Sequence, residues 1–265
     1  MNGPAAERGG ERRHGLGGRA AGYAGLVAIL ALWEAVTAGG IVDDQVLPRF
    51  SAVAATWWDL LLGGELVRQA ASSFGRQIVG FVTAVIVGVS LGIGMARFRA
   101  VDDFAGPLIT MILPIPKAAL IPLVMLWFGI GDVAKTIVVF LGTILPVVVS
   151  AYHAAGSVDQ FYLRSARSMG DKEHQLLWRV ILRAALPEIM SGIRMGLIIS
   201  LVVLVGAEML AGRGGLGWLV FYTLDTGAYR VTYAAMLTIA VIGFAYDRLF
   251  LALSRRLLHW AEQSP

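Results

Sequence analysis

Apolar residues fall in long blocks along this chain, separated by shorter polar stretches. A helix that crosses a bilayer needs about 20 mostly apolar residues. The blocks predict six such helices, at about 21–40, 72–96, 104–128, 134–152, 188–210 and 231–253. Residues 47–64 (LPRFSAVAATWWDLLLGG) form a shorter apolar block. It predicts an amphipathic helix lying at the membrane interface, with Trp57 and Trp58 at headgroup depth. Ser51 is its expected cap and Gly63-Gly64 its stop. Residues 1–20 (MNGPAAERGGERRHGLGGRA) are rich in Gly and Arg and read as a disordered tail, with residues 21–260 as one membrane domain. A cleaved signal peptide competes for the N-terminus. The first apolar block is long and lacks a clear small-residue cleavage site, which favours a retained helix.

Small residues and prolines are patterned inside the blocks. Ala84, Gly88, Gly92 and Ala96 recur every fourth position in the second, and Gly192, Gly196 and Ser200 do so in the fifth. That spacing lets helix backbones approach closely in lipid, so it predicts a bundle without specifying a function. The third block is interrupted by Pro107, Pro114, Pro116 and Pro122 and contains Lys117. At about 100° per residue, Pro107, Pro114 and Pro122 share roughly one face. Broken backbone at membrane depth is tolerated where neighbours or a water-filled cavity satisfy the freed polar groups. Pro114, Pro116 and Lys117 are therefore candidate linings of a substrate pathway. A kink shaped for packing, with a lysine reaching an interface, is the plainer reading. Glu208, near the far end of the fifth block, is the other pathway candidate; it could equally accept backbone amides of the glycine-rich turn that follows. Arg194 reads as an interfacial anchor, and Arg76 as either an anion attractor or a snorkelling side chain.

Basic residues orient the blocks. Arg8, Arg12, Arg13, Arg19, Arg97, Arg99, the basic residues of the 153–187 loop, Arg255 and Arg256 fall on one side of six alternating helices. The other side keeps Arg49, Arg68, Lys135, Arg213 and Arg230, diluted by acidic residues. The positive-inside rule makes both termini and the 153–187 loop cytoplasmic.

Composition agrees with this picture. Apolar residues are 57% and charged residues 15% of 265, with a mean hydropathy of +0.71; a soluble domain carries about a quarter charged residues. The chain is thus expected to be an all-α integral membrane protein, embedded in a lipid bilayer. Without cysteine it has no disulfides or thiolate sites. His14, His153, His174 and His259 are too scattered in sequence to suggest a metal site. The net charge of +4 follows topology, so no nucleic-acid partner is expected. No G-x-x-x-x-G-K-[ST] sequence occurs, and any ATP would have to be bound by a partner subunit. Gly212-x-Gly214-x-x-Gly217 matches a dinucleotide fingerprint only formally, since it follows a membrane helix, and a glycine-rich turn is the better reading. No nucleophile–base pair is visible, so the chain is not expected to be an enzyme.

The loop from Ser157 to Pro187 is the most structured polar stretch. Ser157 and Gln160 have capping-box spacing, which predicts a helix from Val158. Tyr162, Ala166 and Met169 form its apolar stripe, flanked by Arg164, Arg167 and Ser168. Gly170 supplies the conformation that ends it, and Asp171 can cap a second helix. That helix carries Leu176, Leu177, Val180, Ile181 and Ala184 on one side and is expected to end near Pro187. Helix, glycine, helix makes a lever with a docking surface for a soluble partner; an ordinary amphipathic connector is the plain alternative.

The loop resembles the signature loop of ABC importer permeases: Glu-Ala-Ala, three residues, Gly, nine residues, Ile-x-Leu-Pro. Arg164-Ser165-Ala166 stands for the first three, Gly170 for the glycine and Val180-Ile181-Leu182-Arg183 for the end. Arg164 replaces the acidic residue and Arg183 the proline. LPIPKAALIPLVMLWFGIGD (113–132), GIRMGLIISLVVLVGAEML (192–210), GGLGWLVF (214–221) and LSRRLLHW (253–260) are similar to the nitrate/sulfonate/taurine class of these permeases. The resemblance covers most of residues 70–260. It implies a type I importer permease fold with six transmembrane helices in the bacterial inner membrane. It further implies a second permease copy, expected to make a homodimer, a pair of cytoplasmic ATP-binding subunits that hold Mg-ATP, and an external solute-binding protein. Tyr162, Arg164, Ser165, Ala166, Arg167, Met169, Gly170 and Asp171 would couple to the ATPase. The implied cargo is a small anion such as an aliphatic sulfonate, taurine or nitrate, although the class also includes importers of pyrimidine-type and other small aromatic solutes. A passive or ion-coupled transporter would call for intramembrane acidic pairs or inverted repeats, and neither is evident. A membrane subunit that merely docks a soluble partner is a third reading.

Overall fold

The computed structural model describes residues 16–259, and all regular structure among them is helical. Two compact units meet between Ala55 and Thr56. In the first, α1 (Leu16–Ala38) begins a few residues before the expected start of the first span; residues 1–15 of the expected tail lie outside the described residues. The Trp33 indole donates to the Pro48 carbonyl at 3.0 Å, and its ring packs 5.5 Å from that of Phe50. Ser51 does not cap α2 (Phe50–Leu62) as expected, because the helix already starts at Phe50. Glu34 caps it from α1 instead, accepting the Ser51 amide at 3.0 Å and its hydroxyl at 2.7 Å. The expected stop is present: Gly64 has φ +76, a left-handed conformation between α2 and α3. Trp58 is exposed, but the Trp57 indole donates to Thr238 Oγ1 at 3.0 Å, so only one of the two tryptophans is left for an interface.

The second unit is built around α3 (Glu65–Arg97), α6 (Asp132–Gly156) and α9 (Leu182–Ala211), which pack side by side over most of their lengths. The small-residue stripes are the seams. A Cβ on Gly92 would sit 2.7 Å from the Ala151 side chain, and one on Gly192 would collide with Ser150, so neither position accepts a larger residue without helix separation. Around these seams lie Ala151, Ala154, Ala185 and Ile189 at one level, and Val138, Val203 and Ala207 at another.

The third predicted span is not one straight helix. It divides into α4 (Arg99–Ile112) and a second arm over Lys117–Phe128, bent by 88° to the first. The second arm contains α5 (Leu120–Phe128). The joint holds Pro114 and Pro116, which remove amide donors; Leu113 is still helical (φ −55, ψ −47), and the backbone has left the helical region at Pro116 (φ −59, ψ 120). Pro107, Pro114 and Pro122 consequently do not share one helical face, whereas Pro107 alone is absorbed inside α4. Among the described residues four helices are long and apolar enough to cross a membrane: α3, α6, the run His174–Leu210 containing α9, and α11 (Tyr229–Leu257). The bent pair makes a fifth if counted as one span. Val27–Ala38 counts among the shorter apolar helices although α1 as a whole is 23 residues long, so four or five crossings stand among the described residues and that count does not reach the expected six. A short helix that the block pattern did not predict, α10 (Leu216–Asp225), follows the glycine-rich turn and packs on α9 and α11.

Candidate functional site

At one end of the second unit, α7 (Gln160–Ser168) opens the predicted lever. Its cap is Asp159, whose carboxylate accepts the Phe161 amide at 2.8 Å, so the helix starts two residues later than a Ser157 capping box would place it. Its end matches the glycine expectation closely. Gly170 has φ +91; its amide donates to Arg167 O at 3.0 Å while the Asp171 amide reaches Ala166 O at 3.1 Å. That pair of bonds is a Schellman closure, which satisfies carbonyls that the helix end leaves open. Asp171 does not cap the next helix, α8 (Glu173–Leu176); it accepts from Arg179 at 3.0 Å, and the Gln175 side chain receives the Lys172 amide instead.

The buried stripe of α7 also differs from the expected one. Leu163 packs against Ala155, Val158 and Ile181, and Ala166 is buried too, while Tyr162 and Met169 are exposed along with Phe161. Arg164 and Arg167 are exposed and Ser165 is half-buried. Three large apolar side chains and two arginines thus stand outward from a helix whose other face is anchored. Beyond α8, one wide π-type turn over Leu177–Ile181 leads into α9 without a break, and the helix runs through Pro187 rather than ending there. Tyr162, Arg179, Val180, Arg183 and Ala184 line an open groove of about 690 Å³ beside the lever.

At the joint between α4 and the arm that holds α5, the half-buried Lys117 folds back on the end of α4. Its ammonium donates to the carbonyls of Ile112 (3.1 Å), Leu113 (3.0 Å) and Ile115 (2.7 Å). Ile112 and Leu113 stand at the negative end of the α4 dipole, where carbonyls lack their usual helical partners, although Ile112 O also accepts the Ile115 amide at 3.1 Å. Pro114 and Pro116 are exposed beside it.

At the end opposite α7, Glu208 is completely buried. Arg76 Nη1 pairs with its Oε1 at 2.7 Å, the Ser73 hydroxyl lies 2.9 Å from both carboxylate oxygens, and the Gly217 amide donates at 3.0 Å. Gln69 Oε1 accepts the Gly215 amide at 2.6 Å, and Ser73 Oγ accepts that of Leu216 at 2.9 Å. Glu208 and one face of α3 therefore hold the 212–217 turn in place. Arg76 does not snorkel: its Nε also pairs with Asp132 Oδ1 at 2.6 Å, and Lys135 lies buried 4.0 Å from the same oxygen. Arg194 pairs with Asp247 of α11 at 2.7 Å. The network brings Glu208 and Arg76 together and keeps both apart from Lys117. Gln69, Ser73, Asp132 and Lys135 went unnoticed as site residues in the sequence. The available signal was the polar spacing 69, 73, 76, 77 on α3, a single helical face within an apolar block.

Comparison with known proteins places these features in a family setting. Residues 84–259 match the family model of the binding-protein-dependent transport system inner membrane component. The chain is 34% identical over 242 residues to the taurine transport system permease protein TauC of Escherichia coli (strain K12), covering 89% of this chain and 87% of that protein. It is 32% identical over 232 residues to SsuC of Bacillus subtilis (strain 168), a permease protein assigned to aliphatic sulfonates transport, covering 88% and 84%. A chain of the methionine ABC transporter MetNI, solved in inward-facing conformations, shares the fold with a TM-score of 0.53 at 23% identity, over 74% of this chain and 97% of that one.

Proposed function

We propose, for a chain that belongs to the binding-protein-dependent transport system inner membrane component family, that α7 is the element through which a partner ATPase drives transport. The family consists of multi-pass permeases of ABC importers, and its members are transport subunits rather than enzymes. They work with an ATP-binding subunit and a solute-binding protein. The observation that carries the reading is the two-faced α7: Leu163 anchored on Ile181 and Ala166 buried, with Phe161, Tyr162, Arg164, Arg167 and Met169 outward. An exposed cluster of aromatic, Met and Arg side chains has the composition of a protein-binding centre.

In this reading, Mg-ATP binds the partner, the ATPase pair closes, and the surface of α7 moves with it. Ser165, Gly170 and Asp171 hold the shape of the lever, and the π turn passes the displacement into α9. A second copy of the chain completes the pathway, and tilting of the two copies exchanges inward- and outward-facing states. Lys117, Pro114 and Pro116 shape the broken span beside that pathway, and Glu208 braces its far end. Both termini and the 153–187 loop face the cytoplasm. The cargo is a small sulfonate, taurine or an aliphatic sulfonate, in line with what the named relatives transport.

Co-purification with the ATPase tests the coupling role. Wild type should retain the ATPase; Gly170→Pro should lose it, because proline cannot adopt φ +91 or donate the amide that Arg167 O accepts. Arg164→Glu, which reverses an exposed charge, should weaken it. An ATPase that stays bound to both variants alike would remove α7 from the coupling path.

A further inference from the structure

Two cations are buried side by side at the end of the bundle opposite α7, and only one mobile carboxylate serves both. Asp132 Oδ1 is 2.6 Å from Arg76 Nε and 4.0 Å from Lys135 Nζ. The Asp132 side chain is 71% exposed, whereas those of Arg76 and Lys135 are 11% and 3% exposed. The Lys135 ammonium has no acceptor within hydrogen-bond range among the described residues; Asp132 is its nearest carboxylate. The Lys135 stem is buried, but its Nζ is not among the buried side-chain atoms without a partner, so the ammonium keeps a solvent-side opening in place of a protein acceptor, whereas Lys117 is set on three carbonyls.

The charges also count in favour of a ligand. Glu208 is fully engaged by Arg76, Ser73 and the Gly217 amide, so it balances one of the two cations. Asp132 balances the other. If its exposed side chain turns toward solvent, the site is left with one net positive charge and two donors, Arg76 Nε and Lys135 Nζ, aimed at one point. Ala134 and Ala207, the chain neighbours of Lys135 and Glu208, pack on Ile121, Val124 and Met125 of α5. The cluster therefore borders the broken span.

We infer that Asp132 occupies, in this conformation, an anion subsite formed by Arg76 and Lys135, and that the subsite takes the sulfonate group of the cargo. This rests on the sulfonate reading above. A sulfonate is a monoanion with three acceptor oxygens, enough to take the Arg76 Nε–H and the ammonium together, and it replaces the one charge that Asp132 withdraws. Displacing an internal carboxylate keeps the subsite neutral when empty.

Equilibrium binding of radiolabelled taurine to the permease–ATPase complex in nanodiscs, without the solute-binding protein, tests it, alongside taurine uptake by the complete importer in proteoliposomes. Asp132→Asn should tighten binding by about two- to fivefold, the range of one exposed charge pair. Lys135→Met should weaken it by about tenfold or more, with Lys135→Arg restoring most of it. A tighter-binding Asp132→Asn cannot come from misfolding, and retained ATPase in the Lys135→Met complex checks that variant. If wild-type importer takes up taurine while both variants bind it as wild type does, the subsite is overturned and the sulfonate reading stands. If the wild-type importer supplied with its solute-binding protein takes up neither taurine nor ethanesulfonate, the sulfonate reading falls and the subsite with it.

Discussion

Glu208 shows how much of a turn one carboxylate can organise. It has no exposure, and three neighbours donate to it: Ser73, Arg76 and the Gly217 amide of the turn it holds. Removing one member of a buried ion pair leaves an uncompensated charge, at a cost of roughly 3–5 kcal/mol. Glu208→Ala should therefore lower the thermal midpoint of the purified permease sharply. Glu208→Ala combined with Arg76→Met should recover part of the loss, since no charge is then stranded. A double variant no more stable than the single would mean that the carboxylate acts mainly through the turn amides. Gly215→Ala probes the same contact from the other side: φ is +109 there and a Cβ would overlap the Glu208 carboxylate. It should destabilise nearly as much as Glu208→Ala, read by the same melt. The two readings of Glu208 were both legible in the chain, because a glutamate followed by Gly212, Gly214 and Gly215 has amides to accept. Lys135 was not. Grouped with the basic residues of the far side although it falls at the start of the 134–152 block, it lies one turn inside α6, and no periodicity signals that its neighbour is a second cation.

The lever was the most legible element and still the one whose faces were exchanged. Tyr162, Ala166 and Met169 fit a helical stripe by spacing, but Leu163 and Ala166, three residues apart, are the buried pair, with Leu163 against Ile181. Both stripes satisfy the same period, and the choice between them is made by α9, a tertiary neighbour. The distinction is measurable. Leu163→Ala should cost about 2–3 kcal/mol of stability as a buried truncation, seen as a lower melting midpoint. Tyr162→Ala should leave the midpoint nearly unchanged and reduce ATPase retention. The reverse pattern would restore the Tyr162 stripe as the anchored one. Start and stop signals fared unevenly for the same physical reason. Gly170 needs only its own left-handed backbone, whereas Ser157 lost the capping role to Asp159, one of several polar side chains able to reach the first amides. Lys117 belongs here as well: proline spacing revealed that the third block is broken, yet the 88° bend and the carbonyls it frees depend on three-dimensional closure. Lys117→Met strips those carbonyls of their donor and should lower stability more than transport affinity.

For the whole molecule, hydropathy blocks located every long helix but could not count crossings. A block records length and apolarity, and the bent pair has both without being straight. The number that decides topology is a parity. With six crossings both termini share a side; with five they do not. The bent pair joins opposite ends of the bundle, because α3 and α6 run parallel, Arg76 meeting Asp132 at their starts and Gly92 meeting Ala151 near their ends, so the difference rests on whether α1 crosses. The absence of cysteine makes the test clean, because a single introduced thiol reports only on itself. Ser168→Cys, exposed on α7, and Asp225→Cys, exposed as the last residue of α10 at the opposite end, should react from opposite sides with a membrane-impermeant maleimide in oriented vesicles. Positive-inside charge puts Ser168→Cys on the cytoplasmic side. Labels at Asn2→Cys and His259→Cys should then both follow Ser168→Cys. If Asn2→Cys instead follows Asp225→Cys while His259→Cys stays with α7, the crossings are odd in number, and α1 enters the bilayer without crossing it, since the parallel α3 and α6 require the bent pair to run from one end of the bundle to the other.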